Sequence, residues 1–270
     1  DLPSAGNQGY VNSRVGLKSH YGRITVTGRV MRAMKSDAGS FIRAVESEIK
    51  GAVTDLRSDI NRQLFGTSDG VIAATTDGAS STTVTFAAGT TAVQKRQITV
   101  GMKVDIGDTS PYTSLATNRT VESVASNSFV ISGAAIDTTT NSRIVRAGNG
   151  GSGSAQVELT GLQSIVDSAG SLFSVDPASY PQWASTETAV SGSITENAIE
   201  KGVHDVDIAG GADVNLLVTT HGVERAYSNL LTSLKRINTP LELKGGYKAL
   251  TVSAGAGELG LRSDKDCPGG

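Results

Sequence analysis

Seven apolar residues between positions 42 and 64 constrain this chain more than any other feature. Ile42, Val45, Ile49, Val53, Leu56, Ile60 and Leu64 follow one another at steps of 3, 4, 4, 3, 4 and 4. Only an α-helix keeps such a series on one face, so the spacing predicts a helix over residues 37–65. Ser36 or Asp37 can cap its start, and Gly66 offers a left-handed stop. At 1.5 Å per residue it should run roughly 40 Å, far longer than an average helix. Something long must lie beside its apolar stripe.

The flanks of this helix have different chemistry. Residues 1–35 read as extended structure, with Ile24, Val26 and Val30 alternating with Thr25, Thr27 and Arg29. They hold Arg14, Lys18, Arg23, Arg29, Arg32 and Lys35 against Asp1. That local charge of +5 leaves about −7 for the rest of a chain whose net charge is −2. A basic extended arm reaches for an acidic partner, protein or nucleic acid, or else forms a solvated hairpin face. From Gly66 to Ser154, Ser and Thr supply nearly a third of the residues and helical spacing vanishes. Short β-patterned runs replace it, at Val84 and Phe86, Met102 to Ile106, Phe129 to Ile131, and Ile144 with Val145. Turn signals at Asp77-Gly78, Gly107-Asp108 and Asn149-Gly150-Gly151 separate them, which suggests an inserted small barrel or sandwich.

Residues 155–270 read as mixed α and β. A short helix is expected over 161–173 around Leu162, Ile165, Val166 and Ala169. Ser193 with Glu196 forms a capping box for a helix through Ala198, Ile199 and Val203. Val214 to Val218 reads as a strand. Thr220 then caps a helix on Val223, Tyr227, Leu230, Leu231 and Leu234 that closes on Lys235-Arg236. Leu250 and Val252 begin a last strand.

The patterns that would carry chemistry are missing or misplaced. A protein that gains affinity by neutralising phosphates carries a clear basic excess, and this chain as a whole does not. One cysteine, Cys267, allows neither an internal disulfide nor a Cys-based zinc site. His20, His204 and His221 stand in no metal-binding spacing. Gly255-Ala256-Gly257-Glu258-Leu259-Gly260 matches the dinucleotide fingerprint letter for letter. Too few residues follow it for a strand–helix–strand unit, so it reads as a loop. No nucleophile elbow or phosphate loop occurs. Asn118-Arg119-Thr120 fits a glycosylation sequon, and Tyr180-Pro181-Gln182-Trp183 reads as a packed corner or, less simply, a stacking surface for a base. Nothing approaches a bilayer-spanning apolar run, and no signal peptide is visible. The start at Asp1 and stop at Gly270 read as a processed or incompletely represented polypeptide.

Basic arm, long helix, β insertion and mixed α/β region follow in an order that resembles the major capsid protein of tailed bacteriophages, the Hong Kong 97-type fold. Particular strings carry the resemblance. His20 to Gly28 (HYGRITVTG) is similar to the strand leading out of that family's extended loop, and Phe41 to Gly66 to its spine helix. Thr99 to Ile106 (TVGMKVDI) resembles its β insertion, and Asp176-Pro177 through Pro181-Gln182-Trp183-Ala184 a segment common after it. Thr219 to Tyr227 (TTHGVERAY) resembles the strand-to-helix step of the axial domain, and Ser263 to Gly269 the near-terminal strand and turn.

The resemblance implies an α+β fold in five parts. These are an extended loop with a peripheral-domain strand over 1–35, a spine helix over 36–66, an inserted β domain over 67–154, an axial domain over 155–247 and a return strand over 248–270. It implies a structural protein rather than an enzyme, with no cofactor or metal, assembled from copies of itself into pentamers and hexamers. The resulting icosahedral or prolate shell would enclose double-stranded DNA without reading its sequence, as a virion component built in the bacterial cytoplasm. Scaffold, portal and decoration proteins are further partners, and no membrane is involved. Arg14, Lys18, Arg23, Arg29 and Arg32 become candidate inter-subunit contacts. Three other readings stay open: an encapsulin-like nanocompartment shell, a β-rich tail or adhesin component, and a hydrolase without a visible motif.

Overall fold

The computed structural model describes residues 9–24, 28, 38–108, 114–140, 142–149, 158–190, 192–210, 214–233, 241–243, 247–254 and 257–268. The chain is of the α+β class and divides into two compact units. One comprises Leu17–Gly161, the other Asp1–Gly16 with Leu162–Gly270.

In the first unit, helix α1 spans Ala38–Phe65. Its expected cap at Ser36 or Asp37 lies outside the described residues, as does most of the strand expected through Ile24, Val26 and Val30; where that stretch is described, Ile24 is in neither helix nor strand and Gly28 is helical rather than extended. Gly66 does not end the helix in the left-handed region. Its N–H instead turns back to the Gln63 carbonyl, 3.2 Å away. Gly161 packs flat on this helix end. A Cβ there would lie 2.2 Å from the Gly66 carbonyl oxygen and 2.4 Å from that of Gln63, closer than real side chains come.

After α1 the chain enters an antiparallel sheet of six strands in the order β1-β8-β4-β5-β6-β3. These are β1 (Val71–Ala74), β3 (Thr83–Thr85), β4 (Lys103–Gly107), β5 (Ser114–Val124), β6 (Ser128–Ile131) and β8 (Arg143–Arg146). The outer strands meet. Ala87 N–H donates to Ala74 O at 2.9 Å and Thr76 N–H to Thr85 O at 3.0 Å, which curls the sheet into a small barrel. Of the two architectures left open by the sequence, barrel and sandwich, the hydrogen bonds select the barrel. A side ribbon pairs β2 (Gly78–Ser81) with β7 (Ile136–Thr138), and a one-turn helix α2 (Ala92–Arg96) is held by a Thr91–Gln94 capping box.

Apolar residues at alternate strand positions fill the interior, among them Ile72, Val104, Ile106, Val121 and Ile144. Phe86 and Phe129 pack ring against ring with centroids 5.4 Å apart. Strand β5 bends at a bulge where Asn118 takes a positive φ of 53°. The buried Asp105 carboxylate stabilises that bend by accepting the N–H groups of Asn118 at 2.6 Å and Gly148 at 2.8 Å. The barrel begins and ends at one place. Val71 pairs with Val145, and Gly70, with a φ of +74°, lies against the Asn149 carbonyl.

In the second unit, β10 (Leu241–Leu243), β11 (Tyr247–Ala254), β12 (Gly257–Ser263) and β9 (Leu216–Thr219) form a sheet in that order. Only β12 and β9 run parallel among the described pairs. Helices α4 (Glu196–Gly210) and α5 (His221–Ser233) cover it, burying Val203, Tyr227 and Leu231 against Leu259 and Leu261. Thr220 caps α5 as the sequence predicts, accepting the Val223 N–H at 3.3 Å. Lys235-Arg236 lies outside the described residues.

Three local expectations change. The cap of α4 is Thr195, which accepts the Ala198 N–H at 3.2 Å, because the helix begins at Glu196 and Ser193 lies two residues too early. The helix expected over 161–173 shrinks to one turn, α3 (Leu162–Ile165). Its apolar residues Leu162, Ile165 and Val166 stay exposed, so no packing supports further turns. The glycine motif is not the loop expected where it is described: Gly257 to Gly260 run in β12, and Gly257 pairs with Ala254.

Candidate functional site

Where its side chains are described, the stripe that defines α1 is only partly covered. Ile49, Val53 and Leu64 remain 46%, 44% and 46% exposed, and Val45, Leu56 and Ile60 are only half-buried. The buried residues of the described part of this helix are Arg62 and Gln63, at its end. They belong to a polar clasp that ties four segments together.

Asp59, Arg62 and Gln63 project from the last turns of α1 at i, i+3 and i+4, which puts them on one side. Arg62 reaches Asp59 through Nε at 3.1 Å and Glu158 through Nη2 at 2.6 Å. Asn149, just past the barrel exit, donates Nδ2 to the same Glu158 oxygen at 2.6 Å. Arg146 sets Nε 3.3 Å from Asp59, within ion-pair reach but off the hydrogen-bond direction. Gln63 donates Nε2 to Asp59 at 3.1 Å, which fixes its amide so that Oε1 is the acceptor. That oxygen takes the Leu159 N–H at 3.3 Å and faces His20 Nε2 at 2.9 Å, so His20 carries its proton on Nε2. Lys18 Nζ donates to the Glu158 carbonyl.

The Glu158 side chain is 2% exposed and that of Arg62 9%. A carboxylate this deep stays charged only with partners of this kind. Burial alone would lower the Arg62 pKa, but hydrogen bonds and charge from Glu158 and Asp59 outweigh it and hold the guanidinium above its ordinary value. Partial burial pushes Lys18 below its usual value, against the opposing pull of Glu158.

The clasp gives residues 17–21 an unusual orientation. This stretch lies in neither helix nor strand, yet its side chains alternate. Lys18 and His20 turn inward to polar partners, while Leu17 and Tyr21 stand 99% and 88% exposed. Half-buried extended segments usually turn the apolar side inward. Here the sides are reversed.

The candidate contacts named from the sequence separate accordingly. Lys18 is a clasp member. Arg14 is exposed, with its backbone N–H on the Phe173 carbonyl at 2.8 Å, and Arg23 is exposed. Arg29 and Arg32 lie outside the described residues. Sequence reasoning missed Asp59, Arg62, Gln63, His20 and Glu158 as a group. The visible signal was a cluster of polar residues at the end of an amphipathic helix, which reads as an ordinary wet face.

Elsewhere the chemistry is thin. His221 Nδ1 meets Ser263 Oγ at 2.8 Å and lies 4.0 Å from Glu224, a superficial likeness to a hydrolase triad. A relay needs the serine and the acid on opposite ring nitrogens, whereas both face Nδ1 here. Among the described residues no cluster of His, Cys, Asp and Glu could hold a metal ion. The Cys267 thiol is pushed up by burial and by Asp264, the reverse of what a nucleophile needs. In the second unit, an open concavity of about 480 Å³ lies between Tyr10, Val11 and Ser13 and the corner formed by Tyr180, Gln182 and Trp183. Trp183 is anchored there by its Nε1–H to the Leu172 carbonyl at 3.2 Å. Among the described residues no helix is long and apolar enough to cross a membrane. No family model, curated protein or solved structure matches the chain.

Proposed function

We propose that this chain is a structural shell subunit, most similar in organisation to the tailed-phage major capsid protein of the Hong Kong 97-type fold. The observation that carries the proposal is the reversed segment 17–21. A folded chain that spends a buried polar clasp on holding Leu17 and Tyr21 in water has those residues positioned for another molecule. The half-exposed stripe of α1 supports the same conclusion, since a solitary protein gains nothing from leaving it uncovered. The order of parts is also consistent with such a subunit: arm, 28-residue helix, β module, then mixed α/β unit.

The partner we favour is a second copy of the chain. The arm of residues 1–35 carries a charge of +5 and the remainder about −7, so copies are complementary to one another. Each contact is modest, and closure of a symmetric shell multiplies it. DNA would be enclosed without being read, as a near-neutral chain permits. A long amphipathic helix argues against an all-β adhesin.

Negative-stain electron microscopy and sedimentation velocity at two salt concentrations test the proposal. Uniform shells or five- and six-fold capsomers that weaken in high salt are expected. Nucleic acid inside them separates a virus shell from an enzyme-filled nanocompartment. A monomer with no larger species at any salt overturns it.

A further inference from the structure

The clasp does more than bury charge. Among the described residues, the two bonds shown from it to the arm, at Lys18 and His20, end on, or share an atom with, the strap of residues 158–161. Lys18 Nζ donates to the Glu158 carbonyl, and the Gln63 oxygen facing His20 also accepts the Leu159 N–H. The strap is in turn fixed from two sides. Asn149 and Arg62 grip the Glu158 carboxylate, and Gly161 sits on the carbonyls of Gln63 and Gly66. In extended backbone, fixing the side chains at 18 and 20 inward forces those at 17, 19 and 21 outward.

We infer that the clasp is a latch that couples the barrel to the arm: Leu17 and Tyr21 are presented outward only while the barrel exit at Asn149 is seated on the end of α1. Asp59, Arg62, Gln63 and Glu158 are positioning residues in this device. An incompletely folded chain would then lack the outward strip, and would be withheld from partners until its slower, non-local β pairing is complete. What the strip meets rests on the shell function proposed above. How it is held does not.

Limited trypsin digestion of the full chain, read by mass spectrometry, tests the latch. Cleavage after Lys18 is compared with cleavage after Arg14, whose backbone is tied to Phe173 rather than to the clasp. Asn149→Leu removes the barrel-exit bond without touching the arm, and Gln63→Leu removes the His20 bond. Each should raise the Lys18-to-Arg14 ratio at least about tenfold, the effect of losing one charge-assisted or buried hydrogen bond. A ratio within about twofold of wild type, in variants whose circular dichroism is native, overturns the latch.

If a variant fails to fold, the wild-type chain answers across a urea series. Release of the Lys18 site should coincide with loss of hydrogen-exchange protection in β4 and β8. Release well before barrel opening overturns the coupling. Microscopy of the same samples keeps the two proposals apart. A responsive ratio in a protein that never assembles leaves the latch and removes the shell, and shells with an unresponsive ratio do the reverse.

Discussion

Replacing Glu158 by Ala strikes the clasp at its centre. The side chain is 2% exposed and accepts from Arg62 and Asn149, both at 2.6 Å. Breaking a buried pair from one side costs about 3–5 kcal/mol, because the surviving charge is left without its partner. Arg62 keeps Asp59 at 3.0 Å, so its charge is only partly orphaned and the lower part of that range applies. The stranded Asn149 amide adds about 1 kcal/mol, for a total of about 4 kcal/mol. With an m-value of about 2 kcal/mol/M in urea, the unfolding midpoint of the first unit falls by about 2 M. The assay is hydrogen exchange of β4 and β8 amides along a urea series, which reports this unit and not the other. Adding Arg62→Ala should cost less than the sum of the two single changes, since the orphaned charge is then gone. A midpoint shift under about 0.3 M for Glu158→Ala would refute the claim that the clasp stabilises the unit.

Further outcomes follow from other sites. Gly161→Ala forces a Cβ to within 2.2 Å of a backbone oxygen and should destabilise the first unit by about 1–3 kcal/mol, measured by the same exchange assay. Phe129→Ala empties the side chain facing Phe86 and should cost about 3–5 kcal/mol, seen as early loss of barrel protection while α4 and α5 amides keep theirs. Asp205 is held below its usual range by hydrogen bonds from Lys201 and Thr188. Its contribution is therefore present above the ordinary carboxylate pKa and lost as pH falls through the lowered one. NMR titration should show its pKa moving back up in Lys201→Met, and no movement would exclude the pair.

Local signals in the sequence carried some elements and not others. Helix α1 was legible to within a residue because its apolar spacing is unbroken, and α5 because Thr220 sits directly before it. Of the barrel strands, β4, β6 and β8 announced themselves through Val104 and Ile106, Phe129 and Ile131, and Ile144 and Val145. Strand β5 is the longest and went unread. Between Ser114 and Val124 it offers polar Thr117 to Thr120 and a bulge at Asn118, so no alternation survives. The clasp was invisible for a different reason. Its members lie at 18, 20, 59–63, 146–149 and 158, and polar residues look solvent-facing until the fold shows which ones are enclosed. The stripe of α1 marked which face is apolar, but periodicity names a face and not its partner.

The barrel leaves and rejoins the chain at Gly70 and Asn149, beside one another. In mechanical terms it hangs from a single stalk, and its bulk imposes no span on the segments it interrupts. Such a pendant can grow, shrink or be exchanged for another closed module without altering the path from α1 to the strap. Variation among relatives of this chain should therefore concentrate there in size, while the few residues around the stalk, which every version must satisfy, stay fixed.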